Sequence, residues 1–127
     1  MQEPHLFEYA VIRVVPRVER EEFINVGVVL YSKKESFLQT IITVDEAKIK
    51  ALHGEIDCEE LDAHLSAFKS ICKGGKEAGP IGLLDTASRF RWLTAQRSTI
   101  LQTSKVHPGL CEALDAELVK LHRQLVL

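Results

Sequence analysis

The 127-residue chain predicts an α+β fold, in which a small antiparallel sheet of three to four strands, begun by an N-terminal meander, packs against three to four helices. Three observations carry that expectation. The first third is dense in β-branched residues with period-two alternation, and the rest changes to apolar spacings of three and four. Only one stretch, residues 74–82, is rich in Gly and Pro, and it connects parts of a single domain spanning 1–127.

Residues 1–6 read as a short arm. From Phe7 to Val15 both alternating sets are largely apolar, as in a central strand covered on both faces. Pro16, with no amide hydrogen, ends that strand, and the charged residues 17–22 form a turn. A second strand is expected over Phe23–Tyr31 and a third over Phe37–Val44, which gives a meander.

Thr43 and Asp57 each precede a glutamate by three residues, a helix-starting pattern. A short helix is therefore expected over Asp45–His53, and a longer one over Cys58–Lys73 with Leu61, Leu65, Phe68 and Cys72 inward. Leu83–Leu93 predicts a third helix, with Leu83, Leu84, Ala87, Phe90 and Leu93 on its inner side. Thr99–Thr103 is a candidate fourth strand, and Val106–Leu110 reads as a turn set by Pro108 and Gly109. The stripe Leu114, Leu118, Leu121 and Leu125 marks a closing helix over Glu112–Val126.

Composition narrows the function classes. A net charge of -2 provides no general attraction to nucleic acid or anionic lipid, so such binding would need a local patch. Three widely spaced cysteines, Cys58, Cys72 and Cys111, argue against a disulfide framework and for a reducing cytoplasm. No apolar run approaches a membrane span, and the N-terminus lacks the pattern of a signal peptide. Membrane association is not expected. The five histidines show no ligand spacing, so neither metal nor cofactor is expected.

Two clusters carry polar residues where a purely structural chain has little use for them. In the first, Arg13 lies mid-strand among apolar neighbours, and a register placing it opposite Gly27 would give its side chain room. Buried guanidinium needs compensation. That could be an ion pair with Glu21 or Glu22, or a bound anion at the mouth of a pocket. Asn25 could pin a bulge at Gly27 or read a ligand.

The second cluster is residues 86–111, which hold Arg89, Arg91, Arg97 and Lys105 and no acid. Trp92 sits among the arginines, and Ser98 could add a hydroxyl to an oxyanion held by Arg97. Such a mixture suits an interface or base stacking. It could equally answer the acidic stretch 45–62, where seven acids face two lysines. His107 is the candidate general base of this region. No nucleophile elbow, phosphate loop or dinucleotide fingerprint is present.

Tyr9-Ala-Val-Ile-Arg13, Pro16, Glu22-Phe-Ile-Asn-Val-Gly-Val28, Arg89-Phe-Arg-Trp92, Arg97-Ser-Thr99 and Val106-His-Pro-Gly109 together resemble a bacterial family, domain of unknown function 3037. The likeness covers about residues 7–126, although Glu21 stands where the family pattern has glycine. It implies no chemistry. It does imply a partner-protein or regulatory role, through a loose association with kinase-like proteins of the HipA toxin type.

The leading expectation is thus a non-enzymatic binding or regulatory domain that engages a protein or phosphate-bearing ligand through Arg13, Glu22, Asn25, Gly27, Arg89, Trp92, Arg97, Ser98 and His107. The rival is an enzyme acting on a nucleotide or other phosphorylated compound, with Arg13 and Arg97 on anionic oxygens and Glu22 or His107 as base. That rival requires those groups to converge on one pocket. A third reading is nucleic-acid binding through the arginine stretch.

Overall fold

The computed structural model describes residues 3–127. The meander forms as β1 (His5–Val14), β2 (Ile24–Ser32) and β3 (Phe37–Ile42). Helices α1 (Glu46–Leu52), α2 (Cys58–Lys73) and α3 (Thr86–Thr94) follow, then β4 (Leu101–Thr103), β5 (His107–Cys111) and α4 (Leu114–Leu125). The result is an α+β fold with an antiparallel sheet of five strands and four helices.

β1 is the central strand, as its two apolar faces predict. β2 pairs along one edge of it and carries β3 beyond. The other edge is shared: β5 runs beside His5–Tyr9 and β4 beside Ile12–Val14. Between them the register slips by one residue, and Ser104 repairs the ladder. Its amide donates to the Val11 carbonyl at 2.8 Å, and its hydroxyl accepts the Val11 amide at 2.8 Å.

The pleat divides the core into two layers. Ala10, Ile12, Val14, Val29 and Tyr31 face α1, α2 and α3, meeting Ile49, Leu61, Leu65, Phe68, Phe90 and Leu93. Phe7, Val28 and Leu30 face α4 through Leu114, Leu118 and Leu121. Each Val, Leu, Ile or Phe among them, taken wholly from water, contributes about 1.5 to 3 kcal/mol. Burying both faces is what fixes β1 and β2 at the centre.

Several local expectations change. His5 and Leu6 belong to β1 rather than to an arm; Met1 and Gln2 of that arm lie outside the described residues. Val106–Leu110 is not a turn, because residues 107–111 form β5. As an edge strand β5 tolerates Pro108, and the bare Gly109 leaves space for the ring of Phe7 opposite it.

The third helix starts at Thr86, capped by Asp85, whose side chain accepts the Ser88 amide at 2.7 Å. Leu83 and Leu84 therefore precede the helix and are exposed, not inward. Asp57 caps α2 as expected, but α1 is capped by Asp45 rather than Thr43. Thr43 instead meets the buried His122 of α4, Oγ1 to Nε2 at 2.9 Å.

Gly27 is required for close approach. A Cβ there would stand 2.7 Å from the Ile41 carbonyl oxygen and 2.9 Å from Ile42 Cγ1. It does not, however, lie opposite Arg13. A bulge at Val26 pairs Ile12 with Gly27 and Arg13 with Asn25.

Candidate functional site

The bulge sets the first cluster. It turns Asn25 toward the α4 face, where its Nδ2 donates to the Leu125 carbonyl at 3.0 Å and ties the end of α4 to the sheet. Asn25 thus serves as a pin, while its Oδ1 is buried without a partner among the described residues. Arg13, beside it on β1, places its guanidinium 4.0 Å from the centroid of the Phe23 ring. Neither Glu21 nor Glu22 forms an ion pair with it. Glu22 is held instead by Arg20, Nη2 to Oε2 at 3.2 Å, and that hydrogen bond lowers its carboxyl pKa below the usual value.

The second cluster disperses. Arg89 turns inward to three carbonyls: Nε donates to Leu84 at 3.0 Å, and Nη1 donates to Ile71 at 2.9 Å and Cys72 at 2.7 Å. The Ile71 and Cys72 carbonyls are among the last of α2, which the helix itself leaves unsatisfied. Arg91 pairs with Glu8 of β1 at 2.9 Å. Among the described residues no ion pair links these arginines to the acids of residues 45–62, so the acidic and basic stretches do not answer one another.

Arg97 folds back over the end of α3. Its Nη2 donates to the Trp92 carbonyl, and its guanidinium lies 5.1 Å from the centroid of the Trp92 ring. Trp92 is 45% exposed. Arg and Trp together form one rim of a cleft of about 220 Å³ between α2 and the α3–β4 connection, with Phe68, Ile71 and Leu93 below and His64 and Gln102 at its sides.

Arg13 lines a different cleft, of about 300 Å³, with Glu21, Phe23, Ser98, Gln102 and Thr103. Gln102 and Thr103 contribute to both clefts and form the wall between them. Arg13 and Arg97 therefore do not share a pocket, and Glu22 and Asn25 are engaged elsewhere. His107 lines neither cleft and is exposed on β5 with its ring 5.4 Å from that of Tyr9. The convergence an enzyme of the expected kind requires is not what these residues form.

Two features escaped the sequence. Leu6 and Leu110 sit opposite one another across β1 and β5, 65% and 66% exposed, and adjoin a broad groove of about 710 Å³ bordered by Pro4, Pro108, Lys33 and Lys34. Recognising β5 as a strand would have placed them together. The other is the His122–Thr43 contact, for which no local signal exists. The cysteines are unpaired, and burial pushes the Cys72 thiol up to about 12 and raises that of Cys111. Among the described residues no group of three or more His, Cys, Asp or Glu could hold a metal, and no helix is long and apolar enough to cross a membrane.

A sheet covered on both faces, with most of the chain's arginines bound into the frame and an aromatic cleft left open, defines a small α+β domain. The chain belongs to the family described as protein of unknown function (DUF3037), whose model matches residues 9–126. No curated protein and no solved structure matches it.

Proposed function

We propose that the chain is a non-enzymatic binding domain that docks a protein partner on the Trp92–Arg97 cleft. The observation that supports this reading is an exposed tryptophan stacked under an arginine at the lip of a mostly apolar cleft. Tryptophan and arginine are the residues that most often dominate interface energies, because each offers large rigid area with a polar handle. The Trp92 ring is held in place by Arg97 before any partner arrives, which reduces the ordering cost of binding.

An array of free cations for nucleic acid is disfavoured, since Arg89, Arg91 and Arg97 all have partners within the fold. The three free thiols suit a reducing cytoplasm. The kinase-like proteins brought in by the family resemblance are the first partners to assay, and binding to one of them would make the role regulatory.

The test immobilises wild-type, Trp92→Ala and Leu110→Ser chains, exposes each to lysate of the native host, and identifies retained proteins by mass spectrometry. A protein held by the wild type and Leu110→Ser but lost from a folded Trp92→Ala chain is the expected result. Retention indifferent to Trp92→Ala refutes the cleft, and loss on Leu110→Ser alone moves the docking surface to the β1–β5 patch.

A further inference from the structure

The chain has seven arginines, and six of them are accounted for. Arg17 and Arg20 pair with Glu19 and Glu22, Arg91 with Glu8, and Arg89 and Arg97 bind carbonyls. Arg123 is exposed to water. Arg13 alone is part-buried with no hydrogen bond or ion pair among the described residues, and its Nε is sealed from solvent without an acceptor. Its contact with the Phe23 ring orients the guanidinium but gives none of its donors an acceptor among the described residues. Desolvating such a group without acceptors is costly, and a fold retains it where something outside the chain completes it.

We propose that Arg13 heads a binding site for a single oxyanion, the phosphate or carboxylate group of a small ligand. The site is independent of the Trp92 cleft and lies on the other side of the Gln102–Thr103 wall. A guanidinium fork matches two oxygens of either group. The chain around it is built for the purpose: β1 fixes Arg13 between Asn25 and Gln102 in register on its two sides, so the side chain rises from the sheet at a set position.

Ser98, exposed at the cleft wall, offers a hydroxyl that no other group takes among the described residues. Thr103 offers another, held only by a long 3.5 Å contact to the Thr94 carbonyl. The remaining lining group, Glu21, has a carboxylate that forms no ion pair with Arg13 among the described residues, and its backbone is in the left-handed region at φ 57°. Its charge opposes an incoming anion. Glu21 therefore weakens the site and selects for ligands whose remainder can donate to a carboxylate.

The test follows the full chain by NMR, through the Arg13 Nε–H resonance where Arg13 is present and through the backbone amides of Gln102 and Thr103 in every variant; sealed from water, the Nε proton exchanges slowly enough to observe. Inorganic phosphate and acetate are titrated in separate arms at constant ionic strength set by chloride. A saturable shift with phosphate alone identifies a phosphoryl site, and saturation with both admits carboxylates. Glu21→Gln should bind about threefold tighter, the scale on which a half-screened surface charge acts. Arg13→Gln should lose binding. Where that variant does not fold, Arg13→Lys keeps the charge, loses the fork, and should bind severalfold more weakly. No saturable shift in either arm, or affinity unchanged in Arg13→Lys, overturns the assignment.

Discussion

Replacing Arg89 by Ala removes a cation whose partners are all backbone carbonyls, Leu84, Ile71 and Cys72. A hydrogen bond from a charged donor is worth about 1.5 to 3 kcal/mol when its acceptor would otherwise stay dry. Three such bonds set a ceiling that is not reached, because the site is only half-buried and water can enter the space the side chain leaves. Gly74 makes that space. A Cβ on it would stand 2.7 Å from Arg89 Nη1, so the glycine and the arginine form one device for closing α2.

Weighing lost bonds against entering water gives about 2 to 3 kcal/mol for Arg89→Ala. For a chain of this size each kcal/mol lowers the melting midpoint by about 4 °C, so calorimetry should show a fall of about 8 to 12 °C. Arg89→Lys should recover little, since an ammonium cannot reach both sides of the α2 end and the Leu84 carbonyl. A fall under about 4 °C for the alanine variant would mean that water satisfies those carbonyls as well as Arg89 does. The assignment of Arg89 to the frame would then fail.

Two further perturbations probe the frame. Gly27→Ala should cost about 2 to 3 kcal/mol by urea denaturation, because its nearest contact is a backbone oxygen that no rotamer change can move; unchanged midpoints would show that β2 and β3 can part without loss. Asp85 carries a pH dependence, since the Ser88 amide and hydroxyl hold its carboxyl below the usual range, so that its share of stability is present above the unfolded value near ~3.9 and is lost as pH falls through the folded one. Melts of wild type and Asp85→Asn between pH 6 and 3 should converge toward the acid end; a constant gap would refute the capping role, and the difference between the two chains removes the similar acid-side contributions of Glu19 and Glu22.

The β-branched runs and leucine stripes made the meander, α2 and α4 legible in the sequence, because burial on a regular element repeats with the period of that element. What could not be read depends on contacts distant in sequence. The register sets Ile12, not Arg13, opposite Gly27, and the bulge then carries Arg13 past Val26 to Asn25; one extra residue of that kind leaves no mark in the apolar alternation of β1. β5 was hidden by Pro108 and Gly109, whose turn chemistry is overridden by an edge position and by the ring of Phe7. The arginines stand out in the sequence by their apolar or acid-free surroundings. Their roles turn on which carbonyl or carboxylate lies nearby, and no spacing encodes that.

Arg97 is the arginine that separates recognition from architecture. Its bonds reach the Trp92 and Ala95 carbonyls, the exposed end of α3, where water can replace a lost donor. Helix-terminal charge of that kind contributes about 0.3 to 1 kcal/mol, so Arg97→Ala should lower the melting midpoint by at most about 4 °C. The same change frees the Trp92 ring to leave the cleft rim, and a partner docked there would lose both a contact and a prepared surface. Weakened partner capture by a chain whose melt is almost unchanged is therefore the signature of a binding residue. A drop approaching that of Arg89→Ala, with no partner present, would place Arg97 in the frame and remove the reason to regard the Trp92 cleft as preorganised.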